Sequence, residues 1–250
     1  MQAATNGNVE VMELLLASNA STTIKDMEGC TSMHHAALKG HSLIVKLLLD
    51  HGTDFEVRDN DRWTVLHHAA WNGHEKTVRY LLKNGANVHS RTDNGWTALH
   101  QATWNGHTAA VGRLKEGANP NEKDDEGETA LHQAAWRGHV SAIKLLLEKD
   151  ADPGLKDQTG QTALHQAASN GSGAVVQLLL DEGADTRIED NDGRKPHSLA
   201  EENFHHPIAN ILREKETEVY GEEVLPDTEI YLEHHSPVRI SIRPSQQSSL

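Results

Sequence analysis

One cysteine, two phenylalanines and three tyrosines are all that 250 residues contain of those types, and no apolar run approaches the ~18 residues of a membrane span. A lone Cys30 excludes an internal disulfide, and no charged n-region precedes an apolar segment as in a secretory leader. Basic excess is missing too: 23 Lys and Arg face 37 Asp and Glu, for a net charge of −14. Binding driven by nucleic-acid phosphates is therefore disfavoured, and neither nucleic acid nor membrane is expected as a partner. C-x-x-C, H-E-x-x-H and glycine-rich phosphate loops do not occur, so no cofactor, metal site or catalytic residue is expected. What remains is a soluble protein of a reducing compartment, the cytoplasm or alternatively the nucleus, whose 36% hydrophobic content supports a buried core.

Three near-copies of one phrase stand out: LHHAAWNGH from Leu66, LHQATWNGH from Leu99 and LHQAAWRGH from Leu131. Aligning the chain on them brings Thr31, Thr64, Thr97, Thr129 and Thr162 into register at spacings of 33, 33, 32 and 33, with Lys195 in the next slot. A period of this length marks a solenoid, in which each unit buries its apolar face only by stacking on its neighbours. Within a unit one short helix runs from the threonine through a phrase such as TALHQAAWRG, and a second follows in stretches such as SLIVKLLLDH. Helices of about ten residues are too short to persist alone in water, so stacking must stabilise them.

The punctuation agrees. Threonine suits the N-cap, and Pro196 suits the first helical position of the last unit. Gly52, Gly85, Gly117 and Gly183 fall after second helices, where a left-handed residue commonly ends a helix; Asn19 and Asp150 hold the slot in two other units.

These residues resemble the ankyrin repeat, whose unit reads D-x-x-G-x-T-P-L-H-x-A-A-x-x-G-H followed by an apolar helix and G-A-D. The resemblance covers about residues 1–215. It implies an all-α repeat solenoid of antiparallel helix pairs joined by β-hairpin-like fingers. Five complete repeats are read at 31–63, 64–96, 97–128, 129–161 and 162–194, with a partial unit at 1–30 and a C-terminal cap at 195–215, where Glu201 replaces an alanine and Phe204 the glycine. The partial unit lacks the threonine phrase and reads as truncated. The third repeat is one residue short in its second helix and carries Gly112 there, which predicts a soft spot. From 216 onward acidic and polar composition predicts a disordered tail, with weak strand signals in EIYLE and VRISI.

Sorted by repeat position, the 18 histidines lose their resemblance to a catalytic inventory. His34, His67, His100, His132 and His165 follow the capping threonines, and His41, His74, His107 and His139 follow the glycine between helices. The resemblance implies structural roles for these nine. A zinc site drawn from one slot in successive repeats fails, because helix layers lie ~8 to 10 Å apart while zinc binds nitrogen at ~2.0 to 2.1 Å. Cys30 has no partner discernible in the sequence.

Trp71, Trp104 and Trp136 share one slot at the end of the first helix with Leu38, and Trp63 and Trp96 occupy the finger slot before the threonine. In ankyrin repeats these are variable positions that contact partners, and tryptophan is frequent among interface hot spots. His68, Gln101, Gln133, Asn72, Asn105 and Arg137 are expected beside them, with Asp61, Asp93, Asp125 and Glu126 on the fingers. The resulting expectation is a non-enzymatic module that holds a partner protein or peptide in a Trp-lined groove, as a monomer or as part of a larger chain. The alternative is a small-molecule binder or enzyme using the same groove with His68 as acid and base.

Overall fold

A computed structural model describes residues 1–221, and within them the chain forms two rows of short helices. One row stacks α1 (Gln2–Asn6), α3 (Ser32–Leu38), α5 (Val65–Trp71), α7 (Ala98–Trp104), α9 (Ala130–Arg137), α11 (Ala163–Ser169) and α13 (Pro196–Glu202). The other stacks α2 (Val9–Ala17), α4 (Ser42–Asp50), α6 (Glu75–Lys83), α8 (Thr108–Leu114), α10 (Val140–Leu147), α12 (Gly173–Asp181) and α14 (His206–Tyr220). Each helix packs on its partner and on the equivalent helices of adjacent repeats, and one continuous core of Ala, Leu, Val and Ile results. The alanine pairs Ala69/Ala70, Ala134/Ala135 and Ala167/Ala168 are fully buried and let the first-row helices approach closely. Leu81, Leu114, Leu146 and Leu179 fill the layer between the rows.

The threonine caps act with the histidine three residues on. In α5 the Thr64 backbone N–H donates to His67 Nδ1 at 3.1 Å, and the Thr64 hydroxyl lies 2.8 Å from the same nitrogen. The same reciprocal cap opens α3, α7, α9 and α11. Because Nδ1 accepts from the backbone, the ring is neutral and carries its proton on Nε2. That proton ties the first helix to the closing segment of its own repeat, just before the next threonine: His67 Nε2 donates to Ser90 O at 3.0 Å, His100 to Glu128 O at 3.3 Å, His132 to Gln161 O at 3.1 Å and His165 to Arg194 O at 3.1 Å. Burial pushes the His34 and His67 imidazoles down to about 4, and His100, His132 and His165 are lowered for the same reason.

The glycine-histidine phrase is a second interlock. His74 Nε2 donates to Leu38 O at 3.0 Å, His107 to Trp71 O at 2.9 Å and His139 to Trp104 O at 3.1 Å, each crossing to the preceding repeat. The ring lies where the preceding glycine has no side chain: a Cβ on Gly73, whose φ is +69°, would sit 2.5 Å from His107. In the last described repeat Phe204 takes the glycine slot at φ +62° and is 80% exposed, with no further repeat packed on it among the described residues.

A basic ladder, unforeseen in the sequence, ties the fingers together. Lys25 Nζ donates to Arg58 O, Arg58 to Arg91 O, Arg91 to Lys123 O, Lys123 to Lys156 O and Lys156 to Glu189 O, at 2.7 to 2.9 Å. The fingers close as tight turns, such as Asp59 N–H to Trp63 O at 3.0 Å, and no strand is assigned among the described residues.

Two expectations need correction. Gly117 does not take the left-handed conformation that Gly52, Gly85, Gly183, Asn19 and Asp150 adopt, because the missing residue shortens α8 to seven residues and its end turns differently. The cap helix α14 runs 15 residues, to Tyr220, past the boundary set at 215, and Lys195 Nζ holds Glu216 at 2.7 Å. EIYLE, VRISI and the rest of the tail from 222 onward lie outside the described residues.

Candidate functional site

The fingers and the C-terminal ends of the first-row helices meet along one face, and the tryptophans stand there. Trp63, Trp71, Trp96 and Trp104 are half-buried and Trp136 is 41% exposed. They pair finger to helix end: the Trp63 and Trp71 rings are 5.6 Å apart at 61°, and those of Trp96 and Trp104 are 5.5 Å apart at 56°. The scaffold uses the backbone carbonyls of Trp71, Trp104 and Trp136 as acceptors, from His107 and Asn105, from His139, and from Asn170 respectively. The indoles themselves belong to the surface.

Two clefts open between these rings. The first, of about 360 Å³, is lined by Trp63, Trp71 and Trp96 together with Asp61, Asp93, Asn94 and Gln101. Gln101 is 99% buried as the floor of this cleft, 1% of it being accessible, and its Oε1 has no hydrogen-bond partner. The second, of about 310 Å³, lies one repeat on between Trp96, Trp104 and Trp136, with Glu126, Glu128 and Gln166. Burial and the neighbouring Asp124, Asp157 and Glu126 carboxylates push Glu128 up to about 7. Arg137 stacks its guanidinium 4.9 Å above the Trp104 ring.

Other expected residues have different duties. His68 is buried, with Trp63 at 5.1 Å from its ring and Nε2 at 2.8 Å from Asp59 Oδ2. Gln133 is fully buried and donates to Asp124 at 3.3 Å, in the same relation that Gln166 has to Asp157. Asn72 donates to His68 O at 3.0 Å and Asn105 to Gln101 O at 3.2 Å, closing helix ends. Leu38 is half-buried at the end of α3, outside both clefts.

Cys30, which has no partner discernible in the sequence, meets Asp59: Sγ lies 3.8 Å from Oδ2. Donor atoms of Cys30, Asp59 and His68 fall within 4.8 Å of one another, a grouping able to hold a metal ion. Cys30 Sγ and His68 Nε2 both already meet Asp59 Oδ2, while His68 Nδ1 is buried without a partner. Burial raises the Asp59 carboxyl, but hydrogen bonds from His68 and the Trp63 amide outweigh this and hold it below its ordinary value. Burial and the Asp59 and Asp26 charges push the Cys30 thiol up to about 12, so it is no thiolate at neutral pH.

Sequence reasoning missed Glu128, Gln166 and Asn94. Glu128 was identifiable in principle, since it occupies the finger slot of Trp63 and Trp96. Arg62 was also missed as a feature: it holds φ +63° where the other fingers place glycine, and its Nε lies 3.7 Å from Asp93 at the rim of the first cleft.

Among the described residues no helix is long and apolar enough to cross a membrane. No curated protein matches the chain. A family model described as ankyrin repeats in three copies matches at residues 1–92, 84–157 and 149–222. Ankyrin repeats are in general protein-interaction modules, and with nearly the whole described length matched, the chain belongs to the ankyrin-repeat family.

Proposed function

We propose that this protein is a non-catalytic interaction module that grips a partner protein or peptide on the tryptophan-lined face of residues 31–161. One observation carries the reading: all five tryptophans stand on a single face of the middle repeats, while Ala, Leu, Val and Ile fill the core. Aromatic side chains placed at a surface, beside clefts and with acidic neighbours, suit a partner that is apolar and basic in turn. The net charge of −14 disfavours nucleic acid as that partner. The same proposal takes the chain as a monomer or as one arm of a longer one, in cytoplasm or nucleus.

The small-molecule or enzymatic alternative rests on His68. That residue lines neither Trp cleft, and its Nε2 is already bound to Asp59 in a link that Gln133 and Gln166 repeat without an imidazole. A part of the repeat's own bracing is the reading with more support.

Capture from lysate by wild-type protein and by the Trp71→Ala, Trp104→Ala, Trp136→Ala triple variant, compared by mass spectrometry, tests the proposal. We expect a partner retained by the wild type and lost by a variant of native circular dichroism. Retention of every captured protein by that variant overturns it.

A further inference from the structure

We propose that the cleft between Trp63, Trp71 and Trp96 takes the dimethylated ammonium of a lysine side chain on the partner protein. The inference deepens the proposed function and rests on it.

Three indoles line one cleft of about 360 Å³, and Asp61 and Asp93 stand at its rim. The face of an indole attracts a cation, more strongly as water is removed. The same surface already shows this preference internally, since the Arg137 guanidinium lies 4.9 Å over Trp104 in the adjacent cleft. Arg62 pairs with Asp93, so these three rim groups together keep one negative charge, which favours a cationic guest.

The cleft floor selects among cations. Gln101 Oε1 is a buried acceptor with no partner, and such an atom gains a bond when a donor enters. An unmodified ammonium brings three N–H donors and a tightly held hydration shell, and the floor offers it one acceptor among indoles. A trimethylammonium brings methyl groups for the rings and no donor. A dimethylammonium has one N–H for Gln101 and two methyl groups for the rings, which matches both features.

The test is fluorescence anisotropy of the full chain with degenerate peptides that differ only at a central lysine, monomethyl-, dimethyl- or trimethyl-lysine, or uncharged norleucine. We expect dimethyl-lysine to bind about tenfold tighter than lysine or norleucine, and trimethyl-lysine a few-fold weaker than dimethyl-lysine. Trp71→Ala abolishes the preference and Trp71→Phe keeps part of it, both with native circular dichroism. Gln101→Met removes the advantage of dimethyl- over trimethyl-lysine while the preference over norleucine stays. Equal binding of lysine and dimethyl-lysine, or of norleucine and dimethyl-lysine, overturns the proposal, as does displacement by phosphatidylcholine vesicles, whose trimethylammonium would then be the guest. If methylation has no effect yet the triple tryptophan variant still loses its lysate partner, the cage fails and the interaction face stands; if that partner is also retained, both fall.

Discussion

His67 and Trp71 lie one turn apart on the same short helix and use their atoms in opposite ways. His67 commits both ring nitrogens to backbone groups, at the Thr64 cap and at Ser90 in the closing segment of its repeat. Trp71 gives the scaffold only its carbonyl, which accepts from His107, and leaves its indole to a surface cleft. A slot whose side chain is engaged by backbone admits one residue type; a slot used only through its carbonyl admits many. Leu38 serves the equivalent slot equally well, its carbonyl accepting from His74. The repeat thus separates the residues that fix the fold from those free to specify a partner.

Acid should break the histidine side of this comparison first. The folded state holds His67 neutral, with a pKa near 4 against about 6.5 when unfolded, so the unfolded chain binds more protons between those values. Stability is full above about pH 6.5 and falls as pH drops toward 4; for His67 alone the loss is about 3 kcal/mol. His34, His100, His132 and His165 are lowered too and add to it. Glu128 works the other way: its pKa of about 7 lies above its ordinary value, so its protonation stabilises the fold as pH falls through 7 toward 4.5. Thermal melts from pH 8 to 4 should show Tm dropping steeply below pH 6.5, and Glu128→Gln should raise Tm most at pH 8. A Tm flat to pH 4.5 would contradict the neutral, cap-accepting imidazoles.

Next in size is Gly73→Ala. A Cβ at 2.5 Å from His107 must displace that ring from Trp71 O, and φ +69° disfavours any side chain. Loss of the bond and left-handed strain together amount to about 3 kcal/mol. Gly52→Ala has the same backbone strain with nothing within 4 Å of the added Cβ, and should cost about 1 kcal/mol. Chemical denaturation of the pair separates interlock from strain; equal costs would remove the interlock.

Much of the scaffold was legible in the sequence because it repeats. Periodic Thr, His, Gly and Leu reported helix ends, caps and the core before any coordinates. The site was half legible: the tryptophan slots stood out, whereas pairwise geometry did not. Nothing in the string tells that His68 is buried beneath Trp63, that the Gln133 amide nitrogen is spent on Asp124, that the Gln101 and Gln133 oxygens stay without a partner, or that Cys30 of one finger touches Asp59 of the next. Those depend on which neighbour fills each gap across 33-residue separations. The basic ladder escaped because its acceptors are carbonyls, which carry no sequence signal.

Arg62 sharpens the comparison from the groove side. It alone among the fingers carries a side chain at a left-handed position, φ +63°, beside the first cleft, and its partner Asp93 is more than half exposed. An exposed ion pair of this kind contributes little, whereas a non-glycine residue in the left-handed region costs about 1 to 2 kcal/mol. Arg62→Gly should therefore stabilise the fold by about 1 kcal/mol. It also leaves Asp93 unneutralised, so cationic peptides should bind tighter. A stabilised variant with weakened cationic binding would mean that Arg62 itself contacts the partner.

The smallest effect belongs to the scaffold's one irregular unit. α8 has seven residues, and Gly112 in its middle adds backbone freedom to the unfolded chain without serving a turn. A Cβ there would meet only Leu145 Cδ1, at 3.7 Å, an ordinary contact. Gly112→Ala should add roughly 0.5 to 1 kcal/mol and raise amide protection in α8 toward that of α6 and α10. Binding at the tryptophan face should not change, since neither Trp cleft includes this helix. Hydrogen exchange on the wild type decides the premise: if α8 is already protected as well as its neighbours, the short helix is no soft spot and the gain from alanine comes from the unfolded chain alone.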